Sequence, residues 1–201
     1  MENKVVLLEA LKQRVIDARL PLHEGATNVV MGKGSADAPI LFVGEAPGRN
    51  EDLQGMPFVG AAGKNLDKLL SAVGLSLAEV YVANILKYRP PENRPPETEE
   101  IKAHTPYLLE QIRILKPQVV CSLGNYATKF FLSGLNPEGM EKQPGITQVH
   151  GKVRQIEFEG MNFNLIPLFH PAAIIYNQKL IPLWNADLEI VKKEISQKTM
   201  F

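Results

Sequence analysis

Four short runs rich in β-branched and aromatic residues dictate the fold: Ile40 to Val43, Val80 to Ile85, Val119 to Leu123 and Phe163 to Phe169. Each is followed by glycine, proline or a polar residue, and then by a stretch with helical spacing. Strands that alternate with helices feed a parallel sheet held between helical layers, so the class is α/β. The helices are read from apolar residues three and four apart. Val5 to Leu20 carries Leu7, Leu8, Leu11, Val15 and Ile16, and Gly63 to Val73 carries Leu66, Leu69 and Leu70. Thr98 opens a helix that runs to about Leu115 and is stopped by Pro117. Further helices are expected over Tyr126 to Leu132 and around Pro182 to Ile195. Gly32 to Ser35 reads as a turn. Val153 to Phe158 and Phe163 to Phe169 read as a hairpin or adjacent strands across Glu159-Gly160-Met161-Asn162.

The segment Val43 to Gly60 packs four glycines, two prolines, three carboxylates and one aromatic into the connection after the first run. It is costly in backbone entropy and poor in core formers, so it reads as a site. In an open α/β sheet ligands sit outside the carboxyl ends of the strands. That edge gathers Glu45, Glu51, Asp52 and Phe58 with Asn84 and His170, which end two other runs. The segment Tyr88 to Glu97 holds four prolines, which remove donors and fix φ, so it is an exposed, stiff loop.

Lys plus Arg and Asp plus Glu number 22 each, so no global basic field is present and any polyanion must be met by a local patch. A chain of 201 residues, 45% hydrophobic, suits one domain over residues 1–201. Its single cysteine, Cys121, lies within an apolar run, which excludes a disulfide within the chain and effectively a cysteine-ligated zinc or iron-sulfur centre. No apolar stretch reaches the roughly 18 residues of a bilayer span, and the N-terminus lacks the order of a signal peptide, so a cytoplasmic location is expected.

Gly44-Glu45-Ala46-Pro47-Gly48 with Glu51-Asp52, then Gly55-x-Pro57-Phe58-Val59-Gly60-x-x-Gly63, resembles the first signature of the family 4 uracil-DNA glycosylases. The resemblance continues through Ala83-Asn84-Ile85-Leu86-Lys87-Tyr88-Arg89-Pro90-Pro91-x-Asn93-Arg94, Leu123-Gly124-x-x-Ala127 and Phe169-His170-Pro171-Ala172-Ala173, and covers nearly the whole chain in order. It implies a three-layer α/β/α fold around a central parallel four-stranded sheet, and an enzyme that flips uracil from DNA and hydrolyses its N-glycosidic bond to leave an abasic site. Such chemistry needs an aromatic face, an amide to read the base edge, donors where negative charge grows, and an acceptor for water. By this resemblance Phe58 stacks on uracil and Asn84 reads its O4 and N3–H edge. Amides of the Glu45-Ala46 turn and the His170 imidazole face O2. Glu45 holds or activates the water, with Glu51 or Asp52 as supporting acids, and Pro47 and Phe58 exclude the thymine methyl. Lys87, Arg89, Arg94 and the Ala172 segment are the DNA-contact candidates, and Ile174-Ile175-Tyr176 offers either an apolar wedge or a buried helix turn.

Members of that family usually carry a four-cysteine 4Fe-4S cluster. Here the aligned positions are Asp17, Leu20, Tyr88 and His104, so no metal or cofactor is expected, and the loop it would tie down must be held by packing of Leu20 and Tyr88 near His104. Tyr176 stands where arginine is frequent, and the histidine-bearing insertion of a related branch is missing after Asn84. Three functions stay open from sequence: a cluster-free monomeric uracil-DNA glycosylase acting on nucleoid DNA, single- or double-stranded; a DNA- or partner-binding module on the same fold; and a glycosylase for another deaminated base.

Overall fold

The computed structural model describes residues 3–76 and 78–198. In chain order it contains α1 (Lys4–Asp17), β1 (Gly32–Gly34), β2 (Ile40–Gly44), α2 (Arg49–Gln54), α3 (Ala61–Ala72), β3 (Val80–Asn84) and α4 (Thr98–Leu115). It continues with β4 (Val119–Leu123), α5 (Gly124–Leu132), α6 (Ile146–Val149), β5 (Arg154–Phe158), β6 (Met161–Leu168), α7 (Pro171–Tyr176) and α8 (Ile181–Lys198). The strands form one six-stranded sheet in the order β1-β3-β2-β4-β6-β5. Its centre, β3-β2-β4-β6, is the expected parallel four-stranded unit. The sheet is wider than that unit because Gly32–Gly34, expected as a turn, pairs antiparallel with β3, while β5 folds back antiparallel on β6.

The period-2 alternation of the central strands builds both outer layers. Ile40 and Phe42 pack with Leu66, Leu69 and Leu70 of α3 and with Trp184, Leu188 and Val191 of α8. Their neighbours Leu41 and Val43 face Leu108 and Ile112 of α4 and Phe130 and Phe131 of α5. Strands buried on both faces read as unbroken apolar runs, which is why they stand out in the sequence. The chain leaves β2 toward one layer and leaves β3 and β4 toward the other, which opens a crevice at their carboxyl ends.

Helix α4 begins with a capping box, Glu97 and Glu100 each accepting from the other's backbone N–H. Pro106 within it removes the donor to the Lys102 carbonyl, and the Thr105 hydroxyl donates there instead, at 3.3 Å. A third, smaller core joins α1 to α4 through Leu11, Val15, Leu20, Met31 and Tyr88.

Candidate active site

The crevice holds a cavity of about 450 Å³ lined by Glu45, Ala46, Gly48, Glu51, Phe58, Ala62, Asn84, Asn93, His170 and Ala172. Strand register brings its parts together. Gly44 of β2 lies beside Asn84 of β3, and the pairing runs on past the strand ends, with Ile85 N–H donating to Gly44 O and Leu86 N–H to Glu45 O, both at 3.0 Å. Gly44 is required by space: a Cβ there would stand 2.4 Å from Asn84 Oδ1 and 2.7 Å from the tip of the Phe58 ring. Asn84 is 2% exposed, and its Oδ1 has no hydrogen-bond partner among the described residues. A buried amide oxygen left without a donor costs free energy, so its placement in a cavity wall signals a ligand that supplies the donor.

Phe58 is held in the left-handed region at φ 53°, which a side chain rarely adopts. Three contacts fix it there. Lys33 Nζ donates to Phe58 O at 2.8 Å, one oxygen of Glu51 accepts from Val59 N at 2.9 Å and Gly60 N at 2.7 Å, and Gly63 lets α3 press against the Phe58 backbone. The ring is thereby brought to 5.9 Å from the His170 imidazole, centroid to centroid.

His170 caps α7 by accepting from Ala172 N–H at Nδ1, 3.2 Å away. Burial holds the imidazole down at about 4, so it is neutral at pH 7. With Nδ1 the acceptor, the single ring proton sits on Nε2, a donor without charge. The preceding carbonyl, Phe169 O, accepts from the buried Trp184 Nε1 at 2.7 Å, which ties the strand end to α8. Glu45 is half-buried, and desolvation pushes its carboxyl up to about 7. A carboxyl so raised suits proton transfer near neutrality.

Seven of the sequence candidates therefore meet at one cavity: Glu45, Ala46, Glu51, Phe58, Asn84, His170 and Ala172. Others take different work. Glu51 faces the cavity and spends one carboxylate oxygen on bracing the Phe58 loop. Asp52, expected as the other supporting acid, is buried and accepts from Thr27 N and Asn28 N, so it fastens the 27–28 turn. Pro47 is buried, and its neighbours Ala46 and Gly48 line the wall in its place. Lys87 is a correction: at 0% exposure its ammonium cannot reach a phosphate, and it donates instead to Asn84 O at 2.7 Å and to Gln111 Oε1. Arg94 is committed to a two-pronged ion pair with Glu100. Arg89 Nε donates to Asn93 Oδ1 at 2.8 Å, which steadies a wall residue.

Asn93 and Lys33 were not foreseen as parts of the site. Asn93 sits at φ 57° among prolines, and asparagine is enriched in that region. Lys33 lies 25 residues from its acceptor, and nothing local announces the bond.

The four positions aligned with cluster ligands do not fit such a group. Asp17 is exposed on α1, while Leu20 and Tyr88 are buried in the small third core. The ring of His104 stands edge-on to Tyr88 at 6.0 Å, and both its nitrogens are engaged. Nδ1 accepts from Lys87 N and Nε2–H donates to Pro21 O, each at 3.0 Å. Among the described residues no three His, Cys, Asp or Glu side chains come together to hold a metal ion. The packing of Leu20 and Tyr88 beside His104 does fasten this loop.

A family model described as the uracil DNA glycosylase superfamily matches residues 31–189. The chain is 41% identical over 177 residues to a type-4 uracil-DNA glycosylase of Archaeoglobus fulgidus, covering 88% of this chain and 87% of that protein. A type-4 uracil-DNA glycosylase of Sulfurisphaera tokodaii is 40% identical over 92% of this chain and 84% of its own length. That of Thermotoga maritima is 41% identical over 100% of this chain and 97% of its own.

Proposed function

The chain belongs to the uracil DNA glycosylase superfamily and is a uracil-DNA glycosylase; on that premise we propose that the cavity between Phe58, Asn84 and His170 takes a uracil turned out of DNA. The observation that carries this reading is the buried, unpartnered Asn84 Oδ1. Uracil N3–H supplies its missing donor, and the amide nitrogen of Asn84 in turn donates to O4. Cytosine presents the reverse pattern and leaves both groups unpaired, so discrimination of about 1–3 kcal/mol follows from this pair. The Phe58 ring covers the base face.

The C1′–N1 bond breaks with both electrons going to the base, which leaves as an anion while C1′ becomes oxocarbenium-like. The Nε2–H of His170 and backbone N–H groups at Glu45-Ala46 face the oxygen on which that charge gathers. Because His170 is neutral, it stabilises the anion by hydrogen bonding and keeps its proton. Glu45 orients a water toward C1′ and takes its proton as the new C–O bond forms. No step passes through a metal.

The DNA strand crosses the carboxyl edge of the sheet, where Ile175 and Tyr176, 44% and 90% exposed, stand ready to fill the gap left by the base, while Ile174 is buried and anchors α7. The reading takes residues 1–201 as one monomeric domain at work on uracil-bearing DNA of the cytoplasmic nucleoid. The two cores that close on one sheet support the single domain.

The test is a labelled oligonucleotide bearing one uracil, incubated without added metal and treated with alkali to break abasic sites. Cleavage by the native chain that is lost in Glu45→Gln and His170→Ala supports the assignment. Undiminished cleavage by either variant overturns that residue's role.

A further inference from the structure

Lys87 ends the segment that leaves β3 and is among the largest fully buried side chains of the protein. Its ammonium makes two described hydrogen bonds, to the backbone carbonyl of Asn84 at 2.7 Å and to the Gln111 side-chain oxygen on α4. Gln111 is itself anchored, its Nε2 donating to Met31 O at 3.1 Å, and the Lys87 N–H is taken by His104 Nδ1. Among the described residues no carboxylate pairs with this ammonium. A buried cation held only by neutral oxygens weakens a fold, and a methionine would fill the same volume without that cost. Its position explains the arrangement, because the one backbone group it grips belongs to the residue whose side chain forms the cavity wall.

Resting on the glycosylase reading above, we infer that Lys87 is a positioning residue with an electrostatic role: its ammonium locks the Asn84 peptide behind the base and favours departure of the base as an anion. In the transition state the electron pair of C1′–N1 moves onto the base, while Lys87 keeps its protons and transfers nothing. When Lys87 is protonated, the charge behind the cavity lowers the energy of that negative charge more than that of the neutral substrate, which is the condition for accelerating the step. Desolvation brings the ammonium down to about 7, which marks how little its surroundings compensate the charge. A residue filling space has no reason to distinguish one leaving group from another.

Leaving-group dependence therefore separates the two roles. Single-turnover excision is measured for uracil and for 5-fluorouracil at the same position of one oligonucleotide, the fluorine making the departing anion intrinsically more stable. Two variants are used, Lys87→Met and Gln111→Glu. The second keeps shape and a hydrogen bond to the ammonium but sets a carboxylate against it, and it decides the matter where Lys87→Met fails to fold by circular dichroism. Each variant is expected to slow uracil excision by about tenfold, the scale of unit charges about 12 Å apart at an effective dielectric of about 20, and to slow 5-fluorouracil excision by about threefold or less. Equal slowing of both bases, or none, overturns the electrostatic role. Failure of the native chain to release either base would overturn the glycosylase reading itself.

Discussion

The base cavity and the Leu20–Tyr88–His104 corner make an instructive pair. Each holds a histidine, fully buried at the corner and half-buried in the cavity, that desolvation keeps near 4, each sets that ring against an aromatic neighbour, and each joins segments far apart in sequence. They differ in how their polar atoms are satisfied. At the corner His104 has both ring nitrogens bonded to the backbone, and apolar side chains fill the rest. In the cavity Asn84 Oδ1 has no partner among the described residues, and one His170 nitrogen is not used by the α7 cap. Burial with every valence met is scaffold; burial with valences turned toward open volume is a site.

The hardest blow to this contrast is His170→Ala. Loss of one donor to a developing anion costs about 10²–10³ in kcat, so single-turnover excision should fall by that factor while affinity for an uncleaved DNA analogue stays within about threefold. A parallel loss of affinity would put His170 on DNA binding. Leu20→Ala strikes the corner instead. It should lower stability by about 2–5 kcal/mol in a denaturant titration and leave kcat within about twofold at a temperature where the variant is folded. A large kcat loss would show the corner to be part of the site.

Asn84→Asp sharpens the cavity side. A carboxylate can accept from the cytosine amino group, so preference for uracil over cytosine should drop by about tenfold or more, read from paired oligonucleotides. The pH profile tests Glu45, whose raised carboxyl must lose its proton to accept one from water. Log kcat/KM should rise with pH toward about 7, and loss of the Lys87 charge above about 7 should then lower kcat/KM by up to about tenfold. An inflection near the ordinary carboxylate range would mean that Glu45 is not desolvated in the working enzyme. The smallest change is expected for Tyr176→Ala: an exposed side chain inserted into a base stack is worth about 1 kcal/mol, a few-fold loss in kcat/KM on duplex DNA and less on a single strand.

Much of the molecule is legible in the chain because both faces of its central strands are buried, which turns them into apolar runs with sharp ends. Asn84 and His170 mark two of those ends, and the glycine loop marks a third. What escaped is tertiary in origin. Asp52 next to Glu51 has the look of a second site acid, and only the return of residues 27–28 reveals its task. Lys87 beside a proline-rich loop has the look of a phosphate contact until α4 supplies Gln111, 24 positions away. Helix α2, at six residues, is too short and too polar to carry an apolar stripe. The three-residue β1, with two glycines, carries no strand signal and exists because β3 offers a free edge.

The two hydrogen bonds that carry the β2–β3 pairing past Gly44 and into Glu45 have an implication for redesign. Asn84 and Glu45, proposed to choose the base and to handle the water, ride on adjacent rungs of one stiff ladder. A change that re-aims the β3 end toward a new base will move the water as well, so selectivity and turnover should drift together in evolved variants. Phe58 hangs from its own loop, braced by Glu51 and Lys33, and offers the separate handle: a library confined to residues 56–60 could alter which bases fit while the hydrolytic geometry stays where it is.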